Sequence, residues 1–455
     1  MGVIRKWKSC VPNIATIPSN VKRIHAATVD SFFRFALFNA LWIPFSTARF
    51  SNFEVMPHSP LHILTSLATK ERLLICGIMS GTSVDAVDVA LVSIQGSGTD
   101  TALRLLHYAE TLYAEEVQQR IFDNMDASTS NVYDICVLDA VLARTYADAV
   151  SQTCADAGLS LRDIDLVGMH GQTLHHLPTP VQNGPYSIRS TFQAGSGSML
   201  AALLGMPVVS DFRAADIALG GQGAPLVPYA EYLLCRSDEE DRVLLNIGGI
   251  SNITWMPARC REEDVRAWDL GPGNMVVDAL MRLFYGREFD EAGEVAASGR
   301  LNVDLLSWMM SHPFFKETAP KSTGREAFGR DFVDTMLQIS RDLEVQSPAD
   351  LVATASECTV RTIVREIQPL VSSGRPCSVY ISGGGVKNNF FLTGLRHGLS
   401  TTNLYDAAAL GIPADAKEAM CFALLANEWL HGNAANLPNV TGASRKIVLG
   451  SLSIG

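Results

Sequence analysis

The chain has 455 residues, 47% of them hydrophobic, and a formal net charge of −11 at pH 7. That length suggests two or three domains with sizeable cores. The acidic balance, with no basic stripe along the body of the chain, excludes a nucleic-acid-binding surface. The nine cysteines are scattered at 10, 76, 136, 154, 235, 260, 358, 377 and 421, with no CxxC pair and no zinc spacing. Such usage fits a reducing compartment, with thiols serving as small core residues.

Residues 1–70 read as an extension, disordered or targeting. Arg5, Lys6, Lys8, Lys22, Arg23, Arg34, Arg49 and Lys70 stand against only Asp30 and Glu54. This basic, acid-poor balance fits an organelle transit peptide; the alternative is a dispensable extension with the working start near Met56. The apolar run Phe32–Phe45 is broken by Arg34 and Asn39. It is shorter than the ~20 residues that span a bilayer, so no membrane role is expected and the body of the chain is expected in the cytoplasm.

From Leu73 the pattern is regular. Leu73–Met79 and Val87–Ile94 are almost wholly apolar, as in strands buried on both faces. Between them Ser80, Gly81, Thr82, Ser83 and Asp85 form a small polar turn whose N–H groups could cradle an anion, or which simply closes a core hairpin. Leu103–Glu110 reads as a further strand and Val132–Ala157 as a helix, with Ile135, Leu138, Val141, Leu142, Tyr146 and Val150 at helical spacing. Ile164–His176 reads as a buried strand ending in a polar turn. Ser198–Leu204 reads as a helix stopped by Gly205, and Pro207–Ser210 as a short strand.

A second unit opens at Val243–Met256 and repeats the theme: an apolar strand, a turn of Gly248, Gly249, Ser251 and Asn252, and a returning strand. The echo lies about 170 residues downstream, Gly81 to Gly249. The segment WDLGPGNMVVDALM gives a glycine turn feeding a helix, and residues 301–370 read mostly as helix, interrupted by PKSTGREAFG. Val379–Phe391 gives a strand, a triple-glycine turn and a helix start. Lys417–Trp429 is a last amphipathic helix before a polar tail.

Three glycine turns thus follow apolar strands, yet none is GxGxxG at Rossmann spacing, and GxxxxGK[ST] is absent. No GxSxG elbow occurs, which disfavours a serine hydrolase. His170, His175 and His176 lack HExxH spacing, which disfavours a metal site. Asp211 follows a strand and precedes Phe212 and Arg213. A carboxylate there could act as a general base, or could cap a helix or pair with Arg213 or Arg189. Glu418 in the first turn of the last helix suits the helix dipole, or could face a cleft.

With these residues laid out, the chain resembles the anhydro-N-acetylmuramic acid kinase family, within the sugar kinase/Hsp70/actin superfamily. The matching segments, in family order from about Leu73 to Gly450, are IMSGTSVDAVDVAL, HGQT, SDFRAADIALGGQGAPLVP, NIGGISNIT, DLGPGNMVVDA, PKSTGREAFG, SGGGVKNN, AKEAMCFALLANEWL and NLPNVTGA. The resemblance implies an α/β, two-domain actin-like ATPase fold with a central cleft. Residues 71–240 would form the N-terminal domain, with the first phosphate hairpin and the base, and 241–455 the C-terminal domain, with the second hairpin and the nucleoside turn. It implies ATP with Mg2+, of unidentified protein ligands, and a small 1,6-anhydro sugar as partners, no nucleic acid or membrane, and a homodimer as the candidate assembly.

By position, the resemblance assigns ATP binding to Gly81, Thr82, Ser83, Val84, Asp85, Ala86, Val87 and Asp88, to Asn246, Gly248, Gly249 and Asn252, and to Gly383, Gly384, Gly385 and Asn388. It assigns the general base to Asp211, and substrate contacts to His170, Gln172, Arg213, Gly271, Gly273, Asn274 and Glu418. The implied reaction is hydrolytic opening of the anhydro ring coupled to phosphorylation at O6, giving N-acetylmuramic acid 6-phosphate.

The chain departs from the family pattern at Ala86, where a glycine is usual, and at Leu270, where a threonine is usual. FQAGSG and DAAALGIPADAKEA resemble eukaryotic, fungal-type members, one branch of which phosphorylates levoglucosan. A levoglucosan kinase giving glucose 6-phosphate, and a catalytically silent ATP-binding homologue, are the alternatives.

Overall fold

A computed structural model describes residues 59–345, 347–371 and 374–455. The basic segment, the Phe32–Phe45 run and the start near Met56 lie outside the described residues. Residues 60–68, inside the stretch expected to be an extension, instead form a helix, Pro60–Ala68, capped by the Ser59 hydroxyl. Leu67 on that helix is buried in the core. A helix that buries a leucine is part of the folded body.

The strands are β1 (Arg72–Ser80), β2 (Ala86–Gln95), β3 (Ala102–Leu112), β4 (Leu166–Asn183), β5 (Tyr186–Ala194), β6 (Val208–Ser210), β7 (Asp241–Ile247), β8 (Ile250–Met256), β9 (Arg266–Pro272), β10 (Cys377–Ser382), β11 (Asn403–Asp406) and β12 (Ser451–Ser453). They form two sheets, ordered β12-β6-β4-β1-β2-β3 with β5 on β4, and β11-β10-β7-β8-β9. In each, an antiparallel meander (β1-β2-β3, β7-β8-β9) is extended by two parallel strands (β4 and β6, β10 and β11). The echo between the two hairpins in the sequence is therefore a repeat of topology, and the mixed α/β architecture is the one the resemblance implies. Both sheets lie in one compact unit, His58–Gly455.

The continuous apolar runs follow from burial on both faces. Leu73, Ile75 and Met79 of β1, with Ala90, Val92 and Ile94 of β2, join one core cluster, which holds the helix Lys417–Leu430. Cys76 and Ile78, with Val87, Val89 and Leu91, join another, which holds the helix Val132–Asp156. Successive side chains alternate between faces, so neither face can be polar. In the second sheet Val243, Leu245 and Ile247 pack with the helix Pro348–Val371.

Two glycines set the last long helix. Gly77 and Gly168 are register partners across β1 and β4. A Cβ on Gly77 would overlap the Ala419 carbonyl oxygen, and one on Gly168 the Phe422 carbonyl oxygen. The bare backbone there lets Lys417–Leu430 lie directly on the sheet, which fixes the helix start and Glu418 beside the first turn. The chain beyond residue 416 thus returns to the first sheet, whose edge strand is β12 at the end of the expected polar tail.

Two elements depart from the sequence reading. The strand at 164–176 does not end in a turn at His170–Thr173: β4 runs on to Asn183 and folds back as β5 through Gly184 and Pro185, the former at φ +60°. Glu115–Met125 is a helix, with Ile121 buried.

Candidate active site

β6 is three residues long and lies parallel to β4, so the chain leaves the sheet beside His170. The next residue, Asp211, has φ +58°. A left-handed backbone at a non-glycine residue is strained by about 1–3 kcal/mol and concentrates at functional positions. Asp211 is exposed, and its carboxyl accepts the Ala214 N–H. Partial burial raises its pKa above the ordinary aspartate value, opposed by that bond.

The ion-pair alternative for Asp211 is not realised. Arg213 donates from Nε to His170 Nε2 at 3.0 Å and from Nη1 to the Gly223 carbonyl at 2.7 Å. Arg189 binds the carbonyls of Pro178 and Gly220. Neither arginine is thus paired with Asp211, whose side chain bonds to backbone instead.

His170 is buried inside β4, not in a turn, and its ring lies 4.7 Å from that of Phe422. Burial, then the Arg213 charge, holds its imidazole well below the usual pKa, so it is neutral at pH 7. Arginine can only donate, so Nε2 is the acceptor and the ring proton sits on Nδ1. Arg213 is itself lowered by burial, with the Glu418 charge raising it in partial compensation.

The first loop is built by its neighbours. Gln172, fully buried, donates to the Gly81 carbonyl at 3.1 Å and accepts from Ser80. Gln118 donates to the Val84 carbonyl at 2.6 Å. The positive φ lies at Val84, +60°, and not at Ala86, which begins β2 opposite Leu112. Val84, Ala86 and Val87 are buried, so they offer a ligand only backbone, while Thr82, Ser83 and Asp85 are exposed. The Asp85 carboxylate accepts from Ser83 Oγ at 2.7 Å and from the Ala86 N–H at 3.0 Å. Asp88 accepts from Tyr108 Oη at 2.5 Å. Its pKa is pushed up to about 6, by burial first, with the Glu110, Asp85 and Glu418 charges adding and the Tyr108 bond opposing.

The second hairpin and the glycine turn come together. Asn274 donates from Nδ2 to the Ile247 and Gly248 carbonyls, and the Gly273 N–H to the Gly249 carbonyl. Gly383, at φ +84°, lies against Asn246, where an added Cβ would sit 2.7 Å from Asn246 Oδ1. Gly384 is adjacent to Asn274, and Gly385 packs on Ile247. Three expected site residues have structural employment. Gly271 is buried against Phe315, Gly273 against the Gly248 backbone, and buried Asn388 caps the following helix through the Phe391 N–H at 3.2 Å. Leu270 is fully buried in the second core.

A cavity of about 350 Å3 opens between the second sheet and the start of the helix Lys417–Leu430. Asn246, Asn252 and Glu418 line it, together with Gln222, Asp269 and Lys321 among others. Asp211, His170 and the first loop do not line it. Glu418 joins the two regions, because it borders the cavity while its charge acts on Arg213 and Asp88. It therefore faces the cleft as well as the helix dipole.

Sequence reasoning missed the opposite wall. Asp269 accepts the Thr323 N–H at 2.8 Å and the Ser322 hydroxyl at 3.1 Å, which holds PKSTGREAFG against the cavity. Lys321, almost fully buried, pairs with Glu366 at 3.2 Å over the Phe314 ring. Lys417 pairs with Glu231 at 3.1 Å beside Glu418. The signal was present in the segments DLGPGN and PKSTGREAFG, but not the pairing between them. Among the described residues no group of three or more His, Cys, Asp or Glu side chains could hold a metal ion.

A family model described as "Anhydro-N-acetylmuramic acid kinase" matches residues 73–454. A protein of that name from Caldanaerobacter subterraneus subsp. tengcongensis is 41% identical over 394 residues, covering 86% of this chain and 99% of the relative. One from Salinibacter ruber is 42% identical over 392 residues, covering 86% and 98%. One from Bacillus thuringiensis subsp. konkukian is 40% identical over 382 residues, covering 83% and 98%.

Proposed function

The chain belongs to the anhydro-N-acetylmuramic acid kinase family, and on that premise we propose that it is an ATP-dependent kinase that opens 1,6-anhydro-N-acetylmuramic acid and phosphorylates O6. The product is N-acetylmuramic acid 6-phosphate, a step in recycling peptidoglycan fragments. The observation that carries this reading is Asp211: a strained, exposed aspartate at a strand end, free of any arginine partner.

In this reading Asp211 removes a proton from water as its oxygen bonds to the anomeric carbon. The bond from that carbon to O6 breaks, and O6 takes the γ-phosphoryl group, leaving ADP. Water supplies the new anomeric hydroxyl and the proton that leaves through Asp211. The raised pKa makes Asp211 a stronger base than an aspartate at its ordinary value. Neutral His170 holds Arg213 in place, and Glu418 faces the sugar in the cavity.

Phosphoryl transfer needs chiefly positioning and charge stabilisation. The backbone of Gly81–Ser83 and of Gly248–Gly249 would take the phosphates, with Gly383 and Gly384 toward the nucleoside. Mg2+ would arrive with ATP, since this ion is commonly held by one or two carboxylates plus substrate phosphates. Exposed Asp85 and half-buried Asp88 suit that donor set, and the ion would offset phosphate charge. The reaction needs a compartment that supplies ATP, the cytoplasm or an organelle to which residues 1–70 would target the chain. Among the described residues no helix is long and apolar enough to cross a membrane.

The test is coupled ADP release with 1,6-anhydro-N-acetylmuramic acid and levoglucosan side by side, for wild type and Asp211→Asn. Turnover favouring the amino sugar, with kcat lowered about a thousandfold in the variant, is expected. Unchanged turnover in Asp211→Asn would remove the base from the mechanism. ATP binding without sugar-dependent ADP release would make the chain the silent homologue.

A further inference from the structure

We infer that Asp216, a buried carboxylate five residues beyond the base, is a positioning residue that clamps together two separate segments of the cavity wall. It lies on the short helix Ala214–Ala218 and is fully buried. Its Oδ2 accepts the Gly223 N–H at 2.9 Å. Its Oδ1 accepts Asn436 Nδ2 at 2.8 Å and Thr441 Oγ1 at 2.7 Å. No cation pairs with it within 4 Å among the described residues. Three neutral donors, each within hydrogen-bond reach, hold the buried carboxyl group in one orientation.

Both clamped segments border the cavity: Gln222, Ala224 and Pro225 on one side of the clamp, Val440, Thr441 and Gly442 on the other. They are also stitched backbone to backbone, Gln222 N–H to the Thr441 carbonyl at 2.8 Å and Ser444 N–H to the Leu219 carbonyl at 2.9 Å. Gly221 has no room for a Cβ, which would overlap Asp216 Oδ2. The same loop reaches the base region, because the Gly223 carbonyl accepts from Arg213 Nη1 at 2.7 Å. Asp216 therefore sets the sugar-facing wall and Arg213 together, without touching substrate. Assigning that wall to the sugar rests on the proposed function.

The experiment compares wild type, Asp216→Asn and Thr441→Val by steady-state kinetics and by amide hydrogen exchange of residues 219–226 and 436–446. An asparagine offers one acceptor oxygen where three donors converge. The expected result in Asp216→Asn is a KM for the anhydro sugar raised about tenfold or more, with KM for ATP within about twofold. Faster exchange in both segments together is expected in Asp216→Asn. Thr441→Val, which keeps shape and loses one donor, should show the same pattern more weakly and keeps the test decisive if Asp216→Asn does not fold. Equal changes in both KM values, or a loss of kcat alone, would overturn the positioning role. Unchanged exchange in the two segments would overturn the clamp whatever the substrate. Absence of sugar turnover in wild type, with exchange altered as expected, would instead reject the sugar assignment and leave the clamp standing.

Discussion

Arg213 Nε donates to His170 Nε2 at 3.0 Å, and that bond turns the arginine away from its neighbour Asp211. A cation two residues from a carboxylate would ordinarily pair with it and depress its basicity. Here the arginine is tied to a neutral imidazole and to the Gly223 carbonyl, and the aspartate keeps a raised pKa. In the proposed reaction, the basicity of Asp211 relies on this separation together with its partial burial.

The first loop carries a pH signature. Asp88 titrates at about 6 in the folded protein, and near about 3.9 in an unfolded chain. Between those values the folded state holds a proton that the unfolded state has lost. The stability of the neutral carboxyl is fully present below about pH 4 and is lost as pH rises through about 6. Asp88→Asn should therefore raise the Tm of the ligand-free protein relative to wild type at pH 8, with the difference vanishing toward pH 4. Scanning fluorimetry across that range checks it; a difference that grows on acidification would refute the assignment.

Ala86, the departure that most threatened phosphate binding, should be harmless. The left-handed residue of the turn is Val84, and Ala86 already begins the β2 ladder. Ala86→Gly should leave KM for ATP within about twofold and destabilise the protein by about 0.5–1 kcal/mol, the usual effect of glycine in a strand. A tenfold gain in ATP affinity would show that the turn needs glycine there after all.

The glycine pair beneath the last helix should be intolerant of any side chain. Gly77→Ala or Gly168→Ala pushes a methyl into helix backbone, and each should destabilise by about 3 kcal/mol in chemical denaturation. Gly205→Ala, where a Cβ meets no neighbour within 4 Å, controls for contact alone, leaving the strain of its φ of +67°. Equal losses at all three positions would contradict the close-approach account.

Much of this architecture is legible in the sequence, for reasons the two sheets make plain. Strands buried on both faces leave long apolar runs, so β1, β2, β7 and β10 stand out. The extension of β4 past His176 and the strand β5 do not, because Pro178 and Pro180 argue against a strand and the turn at Gly184 lies beyond them. In the site, Asp211 is visible because it follows a strand directly. Asp216 is not, since its partners Asn436 and Thr441 lie 220 and 225 residues downstream. Asn388, Gly271 and Gly273 carry family-like positions, yet their side chains or backbones serve capping and packing. Sequence pattern marks such residues without separating ligand contact from support.

The central claim is that water opens the anhydro ring at the anomeric carbon while O6 takes the phosphoryl group, with Asp211 as base. The most direct measurement is mass spectrometry of the product formed from 1,6-anhydro-N-acetylmuramic acid and ATP in 18O-labelled water, quenched before the anomeric oxygen exchanges. The account predicts one 18O at the anomeric hydroxyl, none in the 6-phosphate, and product formation suppressed in Asp211→Asn. Label in the phosphate group, or an unlabelled phosphorylated product, would contradict it.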